Sequence, residues 1–147
     1  MKADLYEGGI RVPLIVKYGS STAGKTSAFP TYFSDLYATL LDIGGAQDGG
    51  ETDDTSLLPE LFTPNSQNRE DRFLYREQYP KKGIQQAVRW GDWKLIRPGN
   101  DAPVELYNLR TDIGETTNMA GKHADMVEKL QTFLHQAHVP SDWWPVE

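Results

Sequence analysis

The groups in this sequence with the means to do chemistry are carboxylates, imidazoles and a run of basic and aromatic side chains. Asp48, Glu51, Asp53 and Asp54 crowd a glycine-containing loop, and hard cations such as calcium select oxygen ligands of this kind. Their spacing does not fit an EF-hand loop, so the cluster reads as a solvated boundary rather than a metal site. His135 and His138 stand three positions apart. Two nitrogens alone do not complete a zinc site, and cationic residues suit the last turn of a helix. Arg89, Trp90, Trp93, Lys94 and Arg97 have the composition of a nucleic-acid surface. Phosphate binding, however, needs concentrated Lys and Arg. These residues alternate at strand spacing in a chain whose net charge is -6, so they read as sheet packing.

Other chemistries are excluded more simply. The chain has no cysteine, hence no disulfide, thiolate metal site or cysteine nucleophile. It contains no Gly-x-Ser-x-Gly elbow and no glycine-rich phosphate loop, the signatures of serine hydrolases and of nucleotide binders. Its histidines cluster near the ends of one expected helix, where they are badly placed to serve a common serine. The 147 residues match the size of one domain. A content of 38% hydrophobic and 24% charged residues fits a globular chain. No apolar run approaches the roughly 20 residues of a membrane span. The first 18 residues lack the pattern of a signal peptide.

The elements that must position these groups follow from periodicity. Gly8-Gly9 before Ile10-Arg11-Val12 predicts a tight turn feeding a strand, and Leu14, Ile15 and Val16 have the continuous apolar pattern of a strand covered on both faces. Thr31 is the expected N-cap of a helix whose stripe is Tyr32, Phe33, Leu36, Tyr37, Leu40 and Leu41, stopped by Gly44 and Gly45. Ser56 can cap a single turn through Leu57, Leu58, Pro59 and Leu61.

From Arg72 the period becomes two, with Phe73 and Tyr75 in a first strand. Residues 86–90 and 93–97 flank Gly91-Asp92, which fits a type II′ hairpin. That register sets Trp90 opposite Trp93 and Val88 opposite Leu95. It also sets Arg89 opposite Lys94, a repulsion that calls for a carboxylate or an anion between them. Residues 104–109 form another short strand. A last helix over 123–138 carries Val127, Leu130, Phe133, Leu134 and Ala137 on one face, with Pro140 ending it. The fold class expected is α+β: a small antiparallel sheet of three to four strands covered by a long C-terminal helix.

Several of these stretches together resemble the C-terminal part of the sulfatase family, in the alkaline-phosphatase superfamily. Lys2, then Glu7-Gly8-Gly9-x-Arg11-Val12-Pro13, looks like the family's Lys-x-x-x-x-Glu-Gly-Gly-x-Arg-x-Pro segment. Ser34-Asp35-Leu36-Tyr37-Ala38-Thr39-Leu40-Leu41-Asp42 is similar to the helix that follows, with Ala38 where proline is usual. Asp54-Thr55-Ser56-Leu57-Leu58-Pro59 resembles the opening of the C-terminal subdomain. Ala87 through Ile96, Glu105-Leu106-Tyr107-Asn108-Leu109, and then Asp112, Glu115 and Asn118 resemble its sheet and closing loop. Each motif alone is weak; in this order along nearly the whole chain they are specific.

The resemblance implies residues 1–47 as a strand-helix remnant of the large α/β catalytic domain and residues 48–147 as the C-terminal subdomain. It implies sulfuric ester hydrolysis for complete enzymes, through a formylglycine made in a Cys/Ser-x-Pro-x-Arg motif and a bound calcium or magnesium ion. Neither that motif nor the metal-binding segments occur here. Of the catalytic set only Lys2 carries over, as a sulfate-binding ammonium; the loop over 77–83 corresponds to one that often reaches the substrate entrance in the family, which makes Lys81 and Lys82 candidate contacts for an anionic substrate. No cofactor is expected in this chain, and no turnover from it alone. Glu7 and Arg11 are expected to order the turn by their opposite charges.

Left uncovered, Leu14, Ile15, Val16, Phe33, Leu36, Leu40 and Leu41 would each forfeit about 1.5–3 kcal/mol. The expected remedies are self-association, rearrangement onto the C-terminal sheet, or a missing N-terminal catalytic domain. Competing readings are a free-standing self-associating or partner-binding module, and a piece of a phosphodiesterase or phosphonate hydrolase of the same superfamily. Neither a nucleic-acid nor a membrane partner is expected. Bacterial members of the family are often exported, which leaves a periplasmic address open.

Overall fold

The structure is a computed structural model that describes residues 4–20, 22–46, 50, 53–80 and 83–141. The chain divides into two compact units, residues 1–12 with 70–147 and residues 13–69.

The first unit is built on a four-stranded antiparallel sheet in the order β1-β2-β3-β4. Its strands are β1 (Phe73–Gln78), β2 (Gln85–Trp90), β3 (Trp93–Arg97) and β4 (Glu105–Asn108). The alternating sequence sets the register: Trp90 faces Trp93, Val88 faces Leu95 and Arg89 faces Lys94. Gly91 has φ of 58° and Asp92 does not have positive φ, as a type II′ turn requires. A side chain at Gly91 would also meet the Glu70 side chain, 3.1 Å from an added Cβ.

Because strand side chains alternate between faces, this sheet has two. One carries Val88, Leu95 and Leu106, all fully buried under Leu130 and Leu134 of the long helix Ala124–Ala137. Phe73 stacks on Phe133 with ring centroids 4.6 Å apart, and Lys129 lies 3.2 Å from the centre of the Trp90 ring. Trp90 and Trp93 of the basic-aromatic stripe pack against this cluster.

The opposite face carries Ala87, Ile96 and Tyr107 and is covered by the N-terminal segment, with Leu5 buried and Tyr6 and Ile10 packed beside it. The sequence led us to expect one covering helix, whereas a second cover comes from the other end of the chain. Around Gly8-Gly9 the backbone forms a single helical turn, α1 (Glu7–Ile10), rather than a tight turn feeding a strand.

In the second unit the helix α2 (Asp35–Gly44) begins at Asp35 with Ser34 at its cap, not at Thr31. Thr31 instead donates its hydroxyl to the Asp35 carboxylate at 2.7 Å. Gly45, at φ of 66°, ends the helix as expected, with the Ala46 amide returning to Leu41 at 3.0 Å. The next helix, α3 (Leu58–Phe62), starts with the Leu58 amide on the Ser56 hydroxyl at 3.2 Å. The long C-terminal helix is accordingly α4.

Two expectations fail in this unit. Residues 14–16 pair with no strand, and Ile15 is 90% exposed. An extended segment becomes a strand only when a neighbour takes its amides and carbonyls, and the described residues of this unit contain no strand. Nor does α2 bury its apolar stripe: Phe33 and Leu40 are 88% and 67% exposed, whereas Asp35 and Thr39 are buried. Within the first unit, Leu5, Tyr6 and Ile10 pack on the sheet.

Candidate functional site

Among the described residues, a buried charged triad sits on the sheet. Lys94 on β3 points away from α4, and its side chain is 2% exposed. An isolated ammonium there would be intolerable, and two carboxylates meet it. Glu7 Oε1 from α1 lies 2.9 Å from Nζ, and Glu115 Oε1 from the loop after β4 lies 2.7 Å away. Both carboxylates are nearly as buried as the lysine. Glu115 also accepts the backbone N–H of Glu7, and the exposed Arg11 guanidinium stands 4.0 Å from Glu7 Oε2. Of the two cations that the register sets opposite each other, Lys94 receives two carboxylates, while Arg89 Nε donates to the Gly91 carbonyl at 3.1 Å. The pairing of Glu7 with Arg11 is secondary to its pairing with Lys94.

Glu115 reaches the lysine because its loop is held in an uncommon shape. Its φ is 54°, in the left-handed region that a glutamate enters only under constraint. The constraint is Asp112, whose carboxylate accepts the amides of Thr116 and Thr117 at 2.9 and 2.8 Å and the Thr116 hydroxyl at 3.0 Å. Those amide bonds hold the Asp112 carboxyl below the ordinary aspartate range. Asn118 then accepts the amides of Leu106 and Ala120 at 3.1 and 2.9 Å, fastening the loop to β4. The three residues of the closing-loop motif are therefore a turn-former, a buried counterion and a strand clip.

On the same face, Glu105 accepts the hydroxyls of Tyr6 and Tyr107. Burial, then the carboxylate beside them, pushes both phenols well above their ordinary range. On the α4 face, Glu77 receives His138 Nδ1 at 3.0 Å, the Tyr79 hydroxyl at 2.9 Å and the Tyr75 hydroxyl. Burial raises the Glu77 carboxyl, but the bonds from Tyr75, His138, Tyr79 and Gln86 outweigh it and hold the group below its usual range. His138 thus ties the end of α4 to β1.

The second unit has its own polar centres. The fully buried Asp35 accepts the Thr31 hydroxyl and Tyr32 amide, both at 2.7 Å, and the Thr55 amide at 3.0 Å. Thr39 Oγ1 accepts the Leu57 amide at 2.8 Å. Glu60 takes the Ser27 hydroxyl and the amides of Asn65 and Gln67. Burial raises its carboxyl, and these bonds more than reverse that.

Lys2, Lys81 and Lys82 lie outside the described residues, as do Asp48 and Glu51. Among the described residues no group of three or more His, Asp or Glu side chains is arranged to hold a metal ion. Glu115 was visible in the sequence only as part of a motif. The unbalanced Arg89–Lys94 pair was the signal that a carboxylate had to arrive from elsewhere.

Fold and site together define an α+β unit whose buried charges bind distant chain segments to one sheet. Its relatives make the class specific. Residues 2–139 match the family described as N-sulphoglucosamine sulphohydrolase, C-terminal. The chain belongs to this sulfatase C-terminal family, within the alkaline-phosphatase superfamily.

It is 30% identical to a sulfatase of Formosa agariphila over 97% of this chain and 30% of that protein. It is 26% identical to arylsulfatase K of Danio rerio over 90% of this chain and 27% of that one. A solved structure in complex with its substrate D-glucosamine-2-N,6-O-disulfate superimposes with a TM-score of 0.74 at 27% identity, covering 90% of this chain and 29% of the other. The chain thus spans about 30% of the length of the relatives it matches.

Proposed function

We propose that this chain is the scaffold and substrate-facing subdomain of a sulfatase and turns over no sulfate ester by itself. The observation that carries this reading is the buried Glu7–Lys94–Glu115 triad, which fastens the Glu-Gly-Gly segment to the sheet. That segment begins with Lys2, whose ammonium is proposed to face sulfate oxygens and to stabilise charge as the S–O bond breaks. Lys81 and Lys82 are proposed to contact the anionic substrate.

The calcium or magnesium ion and the formylglycine of complete sulfatases do not fit the donors described here. The carboxylates that converge do so on an ammonium, and the sequence lacks Cys/Ser-x-Pro-x-Arg. The nucleophile and metal therefore belong, on this proposal, to a companion catalytic domain.

The exposed apolar residues Leu14, Ile15, Phe33, Tyr37 and Leu40 support a companion surface, since large exposed apolar patches mark interaction sites. A sulfatase catalytic domain is the proposed partner, and a second copy of the chain is the alternative on the same observation. The test is an aryl-sulfate assay with calcium on this chain alone and on the chain joined to a sulfatase catalytic region. Saturable turnover only in the joined protein, reduced by Lys2→Ala, is the expected result. Saturable turnover from the chain alone would overturn the reading. Sedimentation equilibrium of the chain alone separates the partners: a monomer favours the catalytic domain, a dimer self-association.

A further inference from the structure

We propose that residues 5–11 form a strap that opens from the sheet as a unit, and that the Glu7–Lys94–Glu115 triad is the latch holding it shut. The two faces of the sheet are covered by separate apolar clusters. On one face α4 contributes the buried Leu130 and Leu134, with Met126, Val127 and Phe133 around them. On the other, the strap contributes one buried apolar side chain, Leu5, with Tyr6 and Ile10 only partly covered. Apolar burial alone therefore holds α4 far more firmly than the strap. What remains on the strap side is polar: Lys94 on Glu7, the Glu7 amide on Glu115, and Tyr6 on Glu105.

The members of the latch are not equally mobile. Lys94 is inside a paired strand, and Glu115 is fixed by the Asp112 turn. Glu7 stands on a four-residue helical turn followed by the exposed Arg11. When the latch fails, the strap departs while the closing loop stays, because local opening follows the least-supported segment. This deepens the reading under Proposed function, because the strap carries the Glu-Gly-Gly segment on which that reading rests.

Hydrogen exchange on the full chain tests the proposal without any catalytic partner, so it stands or falls separately from the sulfatase reading. The reporters are the amides of Gly9, Ile10 and Arg11, bonded to Tyr6 and Glu7 carbonyls, against the interior amides of α4. In Glu7→Gln the strap amides are expected to exchange about tenfold faster or more, as befits loss of a charged hydrogen bond, while α4 amides keep their rate. In Leu130→Ala the α4 amides quicken and the strap amides do not. A common rate for both sets, a joint response to either substitution, unfolding of Glu7→Gln, or unchanged strap exchange in Glu7→Gln would overturn it.

Discussion

Replacing Lys94 with methionine is the sharpest test of the buried triad. Methionine keeps much of the aliphatic stem but removes the ammonium, leaving Glu7 and Glu115 facing each other with side chains 7% and 2% exposed. Breaking a buried ion pair from one side typically costs about 3–5 kcal/mol, because the charge left behind has no partner. Against a domain stability of about 5–15 kcal/mol that is a fifth or more of the total. Trp90 and Trp93 report on this sheet, so urea unfolding followed by tryptophan fluorescence is the assay. With slopes of about 1–3 kcal/mol per molar urea, the midpoint should fall by at least about 1 M. The triple variant E7Q/K94M/E115Q should recover most of the loss, since uncharged replacements of a whole buried cluster are often neutral. A single variant within about 1 kcal/mol of the parent would refute the reasoning. So would a triple variant no better than the single one, because lost packing rather than stranded charge would then be the cause.

Other outcomes follow from the same structure. Leu130→Ala, at a fully buried site, should lower stability by about 2–5 kcal/mol in the same urea assay. Glu60, Glu77 and Asp112 all sit below their ordinary carboxyl range. Their contribution is complete above the unfolded-state pKa of about 4 and is lost as pH falls through the folded values. The melting temperature should therefore decline on acidification below about pH 4, and less steeply in Glu77→Gln. Tyr6, Tyr75 and Tyr107 are raised, so their contribution is full below the unfolded-state value of about 10 and lost as pH rises through the folded one. Ultraviolet titration should show a group of late-ionising tyrosines, and Tyr6→Phe should remove one from it. Asp35→Ala should strand the Tyr32 and Thr55 amides and speed Thr55 amide exchange with little effect on the sheet unit.

What the sequence determined by itself was local and periodic. Alternation from Phe73 to Asn108 specifies the strands, Gly91-Asp92 specifies the hairpin, and the 3.6-residue stripe through Leu130 and Leu134 specifies α4. Such signals are legible because each depends on neighbours a few residues away. The ordered motifs carried the family resemblance in the same way. Tertiary structure decided whatever depends on contacts far apart in the chain. Leu14, Ile15 and Val16 have strand composition but no strand partner, and the stripe of α2 faces outward while Asp35 and Thr39 are buried. Periodicity states which residues share a face, not whether anything lies against it. Lys94 showed the converse: its strand position was plain, yet its partners Glu7 and Glu115 lie 87 positions before it and in the loop beyond β4. No spacing rule connects such residues; the need to neutralise a buried ammonium does.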